Sequence, residues 1–133
     1  MDVKKIDWYW RQGGGYSAES EAVFAKWASQ GVAADSSRKT LVNEMINGMI
    51  SDGDFTELDG LWIFAAHAKV ATYVNLKNPT STIASINSDV AWVKDVSMTP
   101  NGTNAYIDLN WNPSTDAVKF TLNDNTYGIG FLS

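Results

Sequence analysis

The stretch that decides the fold is Met98 to Ser133, MTPNGTNAYIDLNWNPSTDAVKFTLNDNTYGIGFLS. Pro100-Asn101-Gly102 reads as a turn, because proline fixes φ and glycine accepts the positive φ that asparagine also tolerates. Ala105 to Leu109 alternates apolar and polar in the rhythm of a half-buried strand. Asn112-Pro113-Ser114 breaks that run, Phe120-Thr121-Leu122 starts another, and Asn123-Asp124-Asn125 turns again. Tyr127 to Leu132 finishes as a glycine-spaced apolar strand. Strands this short and this closely spaced predict an antiparallel sandwich or barrel rather than a parallel sheet.

Upstream of it the pattern is helical. Ser17 to Ser29 has an N-cap serine, acidic residues in its first turn, and Val23, Phe24 and Trp27 on one face. Gly31 stops it. Asp35 to Asp52 is the stronger helix: Asp35 or Ser36 caps it, and Leu41, Val42, Met45, Ile46, Met49 and Ile50 form its apolar stripe. Met45 and Met49 read as core rather than as an adaptable binding surface. Gly53 ends the helix, and Phe55 to Asp59 adds one turn. Gly60 to Phe64 is a short apolar run that periodicity leaves open between strand and helix. Alanine-rich Ala65 to Val74 reads as helix. Asn75 to Ser81 is the boundary, since Pro79 pushes the residue before it out of helical space. Thr82 to Ile86 and Val90 to Val96 are two more β-prone runs.

The expected fold class is therefore α+β. An N-terminal arm covers residues 1–16, a helical segment 17–76, and an antiparallel β region 77–133. In the arm, Ile6, Trp8 and Trp10 alternate with polar residues ahead of a Gly13-Gly14-Gly15 joint. They either fold back as an extra strand or dock on a partner, and they are the candidate assembly contacts.

Composition narrows the function classes. The 133 residues carry 44% hydrophobic and 19% charged residues and a net charge of −5. Ten scattered Lys and Arg do not make the clustered basic face of a nucleic-acid binder. No cysteine and one histidine exclude thiolate zinc sites, cysteine nucleophiles and a multi-histidine metal site within one chain. No apolar run approaches the roughly 18 residues of a membrane span. The N-terminus lacks the apolar core of a secretory signal, so synthesis in a cytoplasm is expected.

No stretch carries a catalytic motif. His67 has no G-x-S-x-G nucleophile to serve and reads as a packing residue. Asp108, Asp116 and Asp124 lie in or beside turns, where aspartate caps backbone rather than forming a glycosidase pair. Asp52-Gly53-Asp54 with Glu57 lacks the ligand spacing of a calcium loop. Asn101-Gly102-Thr103 matches a glycosylation acceptor, idle in a protein that is not secreted. Trp92, Trp111 and Tyr127, with Asn110 and Asn112, are the residue types that lay rings against sugars and hydrogen-bond hydroxyls. They are the candidate glycan contacts, against the alternative that they face a sheet interior. No cofactor is implied.

Two longer stretches carry a resemblance. AADSSRKTLVNEMINGMISDGDFTELDGLWIFAAHAKVATYVNLKNP from Ala33, and TPNGTNAYIDLNWNPSTDAVKFTLNDNTYGIG from Thr99, together resemble a module of bacteriophage structural proteins. In that module a helical segment leads through a linker into a concanavalin-A-like (laminin-G-like) β-sandwich. The resemblance covers about residues 20–133, and its specific part is the NGT-xx-YIDLNWNPS stretch with the strand that follows. It implies a non-enzymatic virion component (tail, tail fibre or head fibre). Implied partners are other virion proteins and copies of the chain itself, a trimer first, with host surface glycan as a further partner. It implies no nucleic-acid partner and transfers no catalytic residue. The family's sandwich continues for more strands than are present before Ser133. Open edges and an uncovered face are avoided in folded proteins, so either the chain is a fragment or other copies or another virion protein supply the missing surface, and the second option predicts obligate assembly. The runner-up is a carbohydrate-binding module; a glycan depolymerase is a distant third.

Overall fold

The structure is a computed structural model that describes residues 15–81, 85–86, 89–121 and 123. Ile6, Trp8, Trp10, Tyr127 and the glycine-spaced strand to Leu132 lie outside the described residues.

Helix α1 spans Ala18–Ser29. The Ser17 side chain accepts the Ser20 N–H at 3.3 Å, supplying one of the bonds that a helix N-terminus lacks. Gly31, at φ 77°, lets the chain leave the helix in the left-handed region. The Ser17 N–H donates to Asn43 Oδ1 at 2.9 Å, tying the start of α1 to the second helix. That helix, α2, spans Ser36–Asp52, with Asp35 accepting the Arg38 N–H at 2.8 Å and Gly53 closing it at φ 88°. Both caps fall where local sequence chemistry puts them.

The apolar stripe of α2 is narrower than its sequence implies. At about 100° per residue its six side chains fan over about 180°, with Leu41 and Ile50 at the two edges. Val42 and Ile46, nearer the middle, are buried, and Met45 and Met49 pack against the core. Leu41 and Ile50 are exposed, because the neighbouring elements cover only the centre of that arc.

One short turn, α3, covers Asp54–Glu57 and buries Phe55. Beyond it the structure corrects two expectations. Gly60 to Phe64 is neither strand nor helix, but half-buried irregular chain. Ala65 to Val74 is not a helix; it holds only a 3₁₀ turn at Val70–Tyr73. The reason is tertiary. The Leu61 carbonyl accepts the Leu76 N–H at 2.7 Å, and the Leu61 N–H donates to Asn75 Oδ1 at 3.0 Å. The Trp27 indole donates to the Ala71 carbonyl at 3.3 Å. Partners outside the segment outweigh the helix preference of alanine.

These elements enclose one core. Val23, Phe24, Trp27, Ile46, Phe55, Val74 and Leu76 belong to it, and every member lies at or before Leu76.

The β half starts past the Asn75–Ser81 boundary. Strands β1 (Ser85–Ile86) and β4 (Ile107–Asp108) pair antiparallel, as do β2 (Ala91–Val93) and β3 (Ser97–Thr99). The described residues thus form two separate two-stranded sheets, and the class is α+β with antiparallel pairing. Ala105 to Leu109 keeps its alternation, half-buried at 105, 107 and 109 and exposed between. Asn112-Pro113-Ser114 does more than break a strand: Asn112 caps a one-turn helix, α4, at Pro113–Asp116. Proline at the first helical position loses no bond there. No helix among the described residues is long and apolar enough to cross a membrane.

Candidate functional site

The feature with the most chemistry is a cleft of about 280 Å³ between the two halves. The helical half contributes Asp59, Trp62 and Asn75, the boundary segment Asn78 and Ser81, and the β half Asn110, Trp111 and Asp116.

Asp59 joins the two halves at this cleft. Its carboxylate accepts the backbone N–H groups of Val118 (2.8 Å), Lys119 (2.9 Å) and Phe120 (2.6 Å), 59 to 61 residues on. Partial burial, the largest single influence, opposes its ionisation, but the three N–H donors and the Lys119 charge together outweigh it. Its pKa falls below the ordinary carboxylate value. Asp59 is therefore a staple between the halves, held ionised, and no proton donor near neutral pH. The adjoining Lys119–Glu57 ion pair (3.3 Å) is exposed and adds little. A second junction lies at the β2–β3 turn. There Asp95, at φ 58°, donates its N–H to the Ala66 carbonyl (2.9 Å) and pairs through its carboxylate with Arg38.

Trp62 is seated by a glycine. Any Cβ at Gly60 would overlap the six-membered ring of Trp62, so the ring lies directly over the Gly60 backbone. The Trp62 indole N–H is buried without a hydrogen-bond partner among the described residues. Asn75 is buried and spends Oδ1 on the N–H groups of Leu61, Lys77 and Asn78, which fixes its amide and leaves Nδ2 as its donor. Asn78 Oδ1 accepts the Thr80 hydroxyl at 2.8 Å. Across the cleft, Asn110 adopts φ 49°, a left-handed turn just before Trp111. Trp111 is held edge-on by Phe120, with centroids 6.2 Å apart. Asp116 accepts the Asn112 N–H at 2.7 Å and the Thr115 hydroxyl at 3.2 Å.

No family model matches the chain, and neither curated proteins nor solved structures give a significant match. What the site does has to come from its residues.

Of the sequence candidates, Trp111 and Asn110 line the cleft. Trp92 sits on β2, half-buried, and does not line it. Tyr127 lies outside the described residues, and Asn112 is spent capping α4. Asp108 and Asp116 cap local backbone, Asp108 through the Asn110 N–H at 2.8 Å. Asn101 Oδ1 gathers the N–H groups of Thr103, Asn104 and Ala105 into the Pro100-Asn101-Gly102 turn. His67 packs edge-on against Trp27 at 4.8 Å, with Nε2 3.4 Å from the Val32 carbonyl. Sequence reading missed Trp62, Asn75 and Asp59. Trp62 lies inside the Gly60 to Phe64 apolar run, and nothing in that run announces that its ring packs on the Gly60 backbone.

Proposed function

We propose that the protein is a non-enzymatic bacteriophage structural component of a tail, tail fibre or head fibre, acting through assembly contacts within the virion. The supporting observation is apolar surface left uncovered on the β half. Val93 (52%), Val96 (61%), Tyr106 (59%) and Val118 (83%) stand in solvent, and Leu41 on α2 is 59% exposed. Single exposed apolar residues are ordinary, but among the described residues of the β half several of them stand beside one buried apolar side chain, Val90. Two-stranded sheets of this length are marginal alone and gain stability when a further sheet or helix covers them. The resemblance of the Thr99–Gly130 stretch gives the form of that cover: strands of a concanavalin-like sandwich, completed by other copies or other virion proteins.

The test is light-scattering mass of the purified chain over a concentration series. A trimer or other defined oligomer is expected. A monodisperse monomer at every concentration would count against the proposal.

A further inference from the structure

The cleft between Trp62 and Trp111 fits a ligand that the assembly reading does not require. Its lining offers both kinds of hydrogen-bonding group. Asn75 offers its Nδ2 donor, its Oδ1 being taken by three N–H groups, and Asn78, with the Thr80 hydroxyl on its Oδ1, offers an Nδ2 donor and one acceptor lone pair. Asp116 accepts two bonds from the protein and keeps acceptor capacity, because a carboxylate has about four lone-pair sites. Asp59 is close to saturated by its backbone donors. A cation would call for acceptors only, and an anion for donors only. A hydroxyl both donates and accepts, and matches the mixed set. Among the described residues the lining holds no Lys or Arg, while two carboxylates border it, so an anionic ligand is repelled.

The aromatic groups add the second half of the argument. Two indoles line the cleft beside those polar groups, one packed over Gly60 and one braced by Phe120. Rings held in this way lose little freedom on binding. About 280 Å³ lies near the lower end of ligand pockets, room for one sugar ring rather than an extended chain.

We propose that this cleft binds one ring of a neutral carbohydrate, with a ring face against Trp111 or Trp62 and hydroxyls on Asn75, Asn78 and Asp116. The site is built from both halves, because the Asp59 staple sets the segment that carries Phe120 and hence Trp111.

The test titrates the intact 133-residue chain with neutral glucose, galactose and N-acetylglucosamine oligosaccharides, following tryptophan fluorescence and the indole N–H resonances. An oligogalacturonate serves as anionic control, choline as cationic control and adenosine as a neutral heteroaromatic control. Saturable binding of at least one neutral sugar is expected, with Trp62 and Trp111 resonances shifting. Trp111→Ala should weaken it at least about tenfold, as for a truncated central aromatic anchor. Asn78→Ala, at an exposed position, should weaken it several-fold with the urea midpoint unchanged, and keeps the test valid if the tryptophan variant fails to fold. No saturable response to any of the neutral sugars would overturn the proposal. So would tighter binding of a control, or wild-type affinity in Asn78→Ala and in a folded Trp111→Ala. The outcome is separate from assembly: an oligomer that ignores sugar overturns this inference alone, and a sugar-binding monomer overturns the assembly reading alone.

Discussion

In the helical half, Val23, Trp27, Ile46 and Leu76 are sealed in a shared core; in the β half, Val93, Val96, Tyr106 and Val118 face solvent. Among the described residues past Leu76, only Val90 is a buried apolar side chain. The first region encloses an apolar core of its own. Its helices are capped at both ends, and its irregular stretch is tied down by Asn75 and Trp27. Among its described residues the second has short strands, turns closed by Asn and Asp side chains, and fastenings to the first at Asp59 and Asp95. The helical half is richer in alanine and glutamate and the β half in asparagine, and the two differ in how much apolar surface they turn inward. With Val90 as the one buried apolar side chain among its described residues, the second region draws stability from what it touches.

The largest effect should come from the region that encloses its own core. Ile46→Ala removes a fully buried side chain and should cost about 3 kcal/mol, read as a lowered urea midpoint. A change under about 1 kcal/mol would mean that the helical core is not the main source of stability.

Next comes the fastening. Asp59→Ala deletes the acceptor of three backbone N–H groups and should cost about 2 kcal/mol, with faster amide exchange at Val118, Lys119 and Phe120. Exchange in α1 and α2 should change much less, which distinguishes a lost staple from a damaged core.

The same carboxylate carries a pH dependence. Its folded pKa is lowered, so the unfolded chain binds the proton more readily and this share of stability rises with pH. It is fully present above the unfolded value of about 3.9 and is lost as pH falls through the folded pKa. The 118–120 amide resonances should therefore titrate with a midpoint below about 3.9. A midpoint above that value would contradict the staple.

The smallest effect on the monomer should come from Val118→Ser. At 83% exposure its loss should move the unfolding free energy by less than about 0.5 kcal/mol. Oligomer mass should nevertheless fall if this surface is buried in assembly, and that combination of outcomes is what the comparison between the halves demands.

Legibility in the sequence followed the same division. Helix ends were readable because caps and glycines act within a few residues: Ser17, Asp35, Gly31 and Gly53 each do what their chemistry prescribes. The Pro100-Asn101-Gly102 turn and the 105–109 alternation were readable for the same reason. Gly60 to Val74 was not, because its backbone partners come from Trp27 and Asn75, which no local pattern announces. Leu41 and Ile50 looked like core because a stripe tells which residues share an arc, not how much of it a neighbour covers. The cleft was half legible. Trp111 and Asn110 carried the right chemistry, but Trp62 and Asn75 reach it from the other half, through contacts that only the fold creates.

The most direct test of the contrast is amide hydrogen exchange at two protein concentrations, one dilute enough for monomer and one where oligomer dominates. Helices α1 and α2 should be equally protected at both, while β2, β3 and the 105–109 segment should gain protection only in the concentrated sample. Equal and strong protection of both halves in the dilute sample would contradict it.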